Sequence, residues 1–270
     1  MNRNIALKIS YDGSCFHGWQ FQENAYTVQQ AMQDGWSKLT DERINIIGSS
    51  RTDAGVHATG LVANFKTSAK IPANRIHLAL NTVLPDGISV ITAKEVAQDF
   101  NARFDALGKY YSYFFYHSTA RPAILRNFTA HITGALDLQK MQEACALFVG
   151  EQDFAALADQ ATSVKTTIRK ILRLQISEYV DNIIRLDIVG TGFLYHMIRI
   201  LAGTLFYIGS GKIDSKDIPR YLASKDRTLM GKTMPAQGLF LNKVYYQTIL
   251  FGQDGLTDFY DDSINKYDVR

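Results

Sequence analysis

Two β-branched, alternating runs, at residues 43–47 and 60–67, bracket a polar loop that reads Gly48-Ser49-Ser50-Arg51-Thr52-Asp53-Ala54-Gly55-Val56-His57-Ala58. Period-two alternation predicts a strand on each side, so the loop must join two strands. Gly55 takes a positive φ at no steric cost, which lets the backbone turn sharply just after Asp53. Arg51 stands two residues before the acid, close enough to favour its ionised form. An ionised, oriented carboxylate on a tight loop is what a nucleophile or general base requires. The bland alternative is a turn with an Arg–Asp surface pair worth about 0–1 kcal/mol. Residue chemistry alone leaves both readings open.

The rest of the chain reads as two cycles of strand, helix and strands. Residues 4–11 alternate and predict a strand, and a loop with Gly13, Gly18, Trp19 and Gln20 follows. Thr27 is placed to cap a helix whose Val28, Ala31, Met32, Trp36 and Leu39 fall at helical spacing, which makes Trp36 a core residue. Pro72 opens a second helix with Ile76, Leu80, Val83 and Leu84 on its buried stripe, and 88–93 predict another strand. The second cycle starts with an aromatic strand at 109–117. A helix opens near Asp137 and stops at Gly150. Strands at 168–180 and 183–189 turn at Asp181-Asn182, an apolar helix spans 193–208, a short helix 214–224, and a closing strand 243–251. Such cycles predict α+β domains with mainly antiparallel sheets. The expected division is an N-terminal α+β domain over 1–105, a C-terminal one over 106–252, and a polar tail over 253–270 expected to be mobile.

Composition narrows the function. A chain of 270 residues, 46% hydrophobic and 20% charged, has enough apolar material for a true core. The net charge of +3 is too small to prove nucleic-acid binding by itself, although a local basic cleft remains compatible with it. Cys15 and Cys145 are too few for a disulfide scaffold or zinc motif, and the six histidines lack ligand spacing, so no metal is expected. No stretch approaches a membrane span, which leaves the cytoplasm as the expected compartment.

Arg51-Thr52-Asp53-Ala54-Gly55-Val56-His57-Ala58 resembles the signature of the TruA family of tRNA pseudouridine synthases. Other segments resemble that family in the same order. They are Tyr11-Asp12-Gly13 with Gly18-Trp19-Gln20, then Phe100-Asn101-Ala102-Arg103-Phe104 with Lys109-Tyr110-Tyr111-Ser112-Tyr113 and Arg121-Pro122. After these come Gly192-Phe193-Leu194-Tyr195-His196-Met197-Ile198-Arg199, Lys225-Asp226-Arg227-Thr228, and Pro235-Ala236-Gln237-Gly238-Leu239. The resemblance implies a pseudouridine synthase fold of two similar α+β domains whose sheets join across a central cleft, and a homodimer. It also implies isomerisation of uridine to pseudouridine at positions 38, 39 and 40 of the tRNA anticodon stem-loop, with no cofactor. Two departures are evident: Ser50 stands where the family commonly has glycine, and Lys109-Tyr110 where it has a basic pair.

The same resemblance implies roles. Asp53 is the catalytic carboxylate, and Arg51 pairs with it and fills the space left by an extruded base. Tyr111 stacks on uracil and lies on the route of the C5 proton. Arg199 is the basic residue of the third motif, Phe193 and Leu194 form an apolar wall, and Arg103, Phe104 and Lys109 position or contact the tRNA. Read without the resemblance, Arg199 among Met197, Ile198, Ile200 and Leu201 is costly to bury unless a carboxylate or phosphate meets it, the alternative being a side chain that snorkels to solvent from the helix face. Tyr110, Phe114 and Phe115 read as core, with Tyr113 and Tyr116 open. His57 is not assigned as a base. Lys165, Arg169, Lys170 and Arg173 read equally well as phosphate contacts or as a solvated strand face. The alternatives to an isomerase are a non-catalytic RNA-binding protein, whose aromatics would stack bases, and an aspartate-nucleophile hydrolase or phosphoryl-transfer enzyme. The second lacks the metal-binding acids and phosphate loop that such chemistry uses.

Overall fold

The computed structural model describes residues 2–159, 164–252, 254, 255 and 259. Along the chain run β1 (Arg3–Tyr11), α1 (Val28–Thr40), β2 (Ile47–Gly48), β3 (His57–Thr67), α2 (Ala73–Asn81), β4 (Ile88–Val96) and β5 (Ala106–His117). Then come β6 (Ala130–Ile132), α3 (Leu138–Cys145), β7 (Gly150–Asp153), β8 (Ile168–Val180), β9 (Ile183–Gly190), α4 (Met197–Gly209), α5 (Ile218–Ser224) and β10 (Leu239–Tyr246). Helix starts follow side-chain chemistry. The Thr27 hydroxyl oxygen accepts the Gln30 N–H at the head of α1, and the Asp137 carboxylate accepts that of Lys140 at the head of α3. Each bond satisfies one of the backbone donors that a helix start leaves unpaired.

Two units are distinguished, Met1–Lys109 with Phe240–Phe259, and Tyr110–Leu239. In the first, β1 lies between β3 and β4 and is antiparallel to both, with Ile5 opposite Phe65 and Glu95. β10 adds to β3 in parallel, Phe240 beside His57 and Leu241 beside Ala58. Ile5, Leu7 and Ile9 are fully buried, and Trp36 of α1 meets Phe65 of β3 edge-on at 4.8 Å. In the second unit β8 and β9 form the hairpin expected at Asp181-Asn182, Val180 facing Ile183 and Asn182 at a φ of 60°. β7 extends the hairpin antiparallel to β8, and β6 pairs with β5 in parallel. α3 packs against α4 and β8, and α4 is buried along most of its length.

The architecture is the expected α+β one, with local differences that have physical causes. Residues 43–46 are not a strand: Ile44 and Ile46 are buried, so the alternation records burial, while the ladder holds only Ile47 and Gly48. β3 begins at His57, three residues before the expected start, and carries the end of the polar motif into the sheet. α4 begins at Met197 instead of 193, because His196 sits in the left-handed region at a φ of 59° and interrupts the helical path. The closing strand is Leu239–Tyr246, and all of it beyond Leu239 clusters with the first unit. Most of the tail expected to be mobile, 253–270, lies outside the described residues.

One polar knot stitches the first unit. The Glu42 carboxylate accepts the hydroxyls of Ser68 and Thr67, the Trp36 indole N–H at 3.3 Å and the Ser68 backbone N–H at 3.0 Å. These bonds, the Ser68 hydroxyl first, hold its acid down to about 2 from an ordinary value of 4.5. A depressed carboxylate stabilises the fold above its unfolded pKa, and the benefit disappears as pH falls through the folded one. Glu42→Gln is therefore expected to cost roughly 1 kcal/mol near neutrality, allowing for solvent screening. In denaturant melts that gap should shrink between pH 4.5 and about 2.

Candidate active site

The loop carrying Asp53 is fixed from below by backbone. Ser49 N–H donates to the Val62 carbonyl at 2.8 Å, and Val56 N–H donates to the Asp53 carbonyl at 3.1 Å, closing a turn with Gly55 at a φ of 82°. The loop that follows β1 grips the other side. Trp19 N–H donates to the Thr52 carbonyl at 3.1 Å, and the Tyr11 hydroxyl bonds the Thr52 hydroxyl at 2.7 Å in a buried position. Gly18 and Gly13 pass so close that an added Cβ would lie 2.6 Å from the Thr52 oxygen and 2.1 Å from the Val56 oxygen. The carboxylate is thus carried on backbone held at both flanks and is itself half-buried.

Arg51 is exposed, and among the described residues no ion pair joins it to Asp53. Full hydration of the guanidinium outweighs a surface pair worth about 0–1 kcal/mol, so the spacing of the two residues does not by itself bring them together. His57 is 1% exposed, stacks on Phe240 at a ring separation of 4.5 Å, and its Nδ1 accepts the Gly13 N–H at 3.0 Å. The Asp12 carboxylate also lies 3.2 Å from that nitrogen, but an N–H donor already occupies its lone pair, so the pair is a proximity and not a second hydrogen bond. The buried ring braces the loop through Gly13 and Phe240.

In the second unit, Tyr111 of β5 is 7% exposed and meets Phe193 edge-on, with centroids 5.5 Å apart and planes at 87°. Leu194 is buried beside that segment's turn into α4. Arg199, on the first turns of α4, donates from Nε to the Met234 carbonyl at 2.7 Å, while Met234 N–H donates back to the Arg199 carbonyl at 3.2 Å. A backbone carbonyl is thus among the partners of this arginine, where residue chemistry pointed to a carboxylate or phosphate. Tyr113 is fully buried, its hydroxyl donating to the Pro235 carbonyl at 2.7 Å, and burial pushes its phenol well above the usual range. Tyr110, read as core, instead donates to Asp187 at 2.9 Å.

Arg103 and Phe104 are exposed, the guanidinium 5.5 Å over the ring, and Lys109 is half-buried in β5. Within the basic run, Arg173 is only 7% exposed and lies 5.3 Å over the Tyr110 ring, so it fits neither phosphate contact nor a solvated face. Sequence reasoning gave no positioning role to Tyr11, Thr52, Gly13 or Gly18. The only hint was that Tyr11, Gly13 and Gly18 stand together in one short motif. Tyr11→Phe would leave the buried Thr52 hydroxyl without this partner and is expected to cost about 1–2 kcal/mol in a denaturant melt.

A family model described as tRNA pseudouridine synthase matches residues 8–105 and 144–247. The protein named tRNA pseudouridine synthase A of Ruminiclostridium cellulolyticum is 46% identical over 244 residues, which is 90% of this chain and 100% of that protein. The chain belongs to the tRNA pseudouridine synthase family. Its relative of the same name in Acetivibrio thermocellus matches equally, at 46% identity over 90% of this chain and 100% of its own length. A solved structure titled a Cbf5-Nop10-Gar1 complex covers 92% of this chain and 59% of that one at 14% identity, with a TM-score of 0.35, too low to carry an argument. As a pseudouridine synthase the chain is an isomerase that converts uridine to pseudouridine. The matched segments contain Asp53, Phe193, Leu194 and Arg199, whereas Lys109 and Tyr111 fall in the unmatched stretch between them.

Proposed function

We propose that this enzyme isomerises uridines 38, 39 and 40 in the anticodon stem-loop of tRNA, with Asp53 as its catalytic carboxylate. The observation that supports the role of Asp53 most directly is its loop, pinned through Thr52, Asp53 and Val56 backbone groups and closed by two glycines that admit no side chain. A surface turn has no need of such fixing, but a carboxylate that must meet one atom of a bound nucleotide does.

The reaction breaks the N1–C1′ bond, turns the uracil, forms C5–C1′ and moves the C5 proton to solvent, while N1 gains one. Asp53 takes part by attacking C1′, attacking C6 or assisting formation of a glycal. Tyr111 stacks on the uracil and receives or relays the C5 proton through its hydroxyl. Phe193 and Leu194 present apolar surface to the base, and Arg199 supplies positive charge toward the reacting carboxylate or a phosphate. Arg51 fills the helical space left by the extruded uridine, an extrusion that costs a few kcal/mol, and its exposed position leaves it available for that. Arg103, Phe104 and Lys109 contact the tRNA. Recognition of three neighbouring positions calls for contacts to shape and backbone more than to base edges. The enzyme works as a cytoplasmic homodimer; among the described residues no helix is long and apolar enough to cross a membrane. Mass-spectrometric mapping of unmodified tRNA after incubation tests the reading. New pseudouridine confined to positions 38–40 supports it, and modification confined to another arm of the tRNA overturns it.

A further inference from the structure

Among the motif segments without a role so far are Arg121-Pro122 and the run from Pro235 to Leu239. In the second unit they converge. Arg121, Pro122, Arg126, Thr129, His131 and Gln237 are among the residues lining one hollow of about 600 Å³, within the roughly 300–1,000 Å³ typical of ligand sites. Among the described residues no acidic side chain lines it. Among the described residues neither Arg121 nor Arg126 enters an ion pair. Two guanidinium groups beside one hollow without a counter-charge repel each other, and an entering anion relieves that repulsion. Pro122 and Thr129, which line the same hollow, are buried, so part of its wall is low-dielectric protein, which strengthens the field toward solvent.

The polar groups are also arranged to receive an acceptor. Arg126 spends one Nη1 donor on the Ala123 carbonyl at 2.7 Å, which anchors the side chain and leaves the rest of its fork available. Thr129 and His131 are tied to backbone carbonyls, of Leu125 at 3.0 Å and Ser118 at 2.8 Å, and so act as wall. Gln237 adds a neutral amide, and its segment is stiff. The Pro235 carbonyl accepts the Tyr113 hydroxyl, and the Met234 carbonyl accepts Arg199 Nε. The wall of the hollow is therefore continuous with the segment that holds Arg199.

We propose that this hollow binds a phosphodiester group of the tRNA backbone, gripped by the Arg121 and Arg126 guanidinium forks with the Gln237 amide as a neutral donor. Guanidinium groups suit an anion with several acceptor oxygens, which they engage bidentately. The assignment rests on the tRNA reading of the substrate. Binding and turnover are therefore measured separately, so that failure of one is not mistaken for failure of the other.

The test is binding of unmodified tRNA by the full chain across a potassium chloride series, for wild type, Arg121→Gln/Arg126→Gln, Arg121→Lys/Arg126→Lys, and Arg75→Gln on α2 as a control. Removing the grip on this phosphate is expected to weaken binding about tenfold at 0.1 M salt. It should also flatten the slope of log K against log salt by about 0.7–0.9 for each phosphate that the protein no longer neutralises. The lysine pair should recover most of the slope, the control should bind as wild type does, and the thermal midpoint should stay put. In kinetics the loss should fall mainly on KM. An unchanged slope in the glutamine pair overturns the proposal. So does calorimetric binding of inorganic phosphate that the pair abolishes while its tRNA slope stays that of wild type, because the hollow then serves a free anion. Absence of pseudouridine in wild type would sink the enzymatic reading and leave the binding result standing on its own.

Discussion

With Asp53 replaced by asparagine, turnover on unmodified tRNA is expected to fall at least about 10³-fold while affinity for tRNA changes little. The substitution keeps shape and size. It spares the Val56 N–H to Asp53 carbonyl bond and the Trp19 N–H to Thr52 carbonyl bond, because both use main-chain atoms. The loop therefore stays where it is, and what disappears is the negative charge and nucleophilic oxygen. A thousandfold loss equals about 4 kcal/mol of transition-state stabilisation, more than a loosened surface turn would produce. Single-turnover kinetics at saturating enzyme separates chemistry from binding, and a drop in both the first-order rate and kcat/KM marks an interaction made in the transition state. A variant that forms pseudouridine at close to the wild-type rate would remove Asp53 from the chemistry.

How much of this was legible in the sequence depends on the distance over which each constraint acts. Local signals read well. Thr27 and Asp137 announced their helices because capping needs only a side chain and an N–H three residues on. The hairpin at Asp181-Asn182 was visible because Asn tolerates the left-handed conformation it adopts there. Non-local constraints were silent. Nothing in residues 43–46 says that Ile44 and Ile46 are buried without joining a ladder, since both cases produce the same alternation. β10 was placed too late because Phe240 and Leu241 become strand residues only by pairing with His57 and Ala58, far away in the chain. Arg199 was read correctly as needing a partner, but the Met234 carbonyl is 35 residues on, and no local pattern points to it. The charge of Arg173 suggested solvent or phosphate, whereas the aromatic face of Tyr110 covers it. The Asp53 loop shows the same division. Its turn was legible at Gly55, but the glycines that hold it stand in a segment about forty residues earlier.

Those glycines carry the second large expectation. Gly18→Ala should lower the thermal midpoint by about 5–10 °C and turnover by at least tenfold. Gly18 has a φ of 85°, where an L side chain costs roughly 1–2 kcal/mol. Its added Cβ would stand 2.6 Å from the Thr52 oxygen and 3.1 Å from the Asp53 carbonyl carbon, both main-chain atoms that cannot rotate away. Backbone must move, and the backbone that moves bears Asp53. Strain and contact are separated by Gly134→Ala. That residue has a similar φ of 91° but nothing within 4 Å of the new carbon, so only the conformational cost applies. At roughly 2–4 °C per kcal/mol for a protein of this size, Gly134→Ala should lose a few degrees and no activity. Calorimetry with steady-state kinetics on the two variants gives the answer. If Gly18→Ala loses no more stability or turnover than Gly134→Ala, the close approach does not place the Asp53 loop. A larger loss in both, concentrated in kcat, means that the segment after β1 is the mould in which that loop is set.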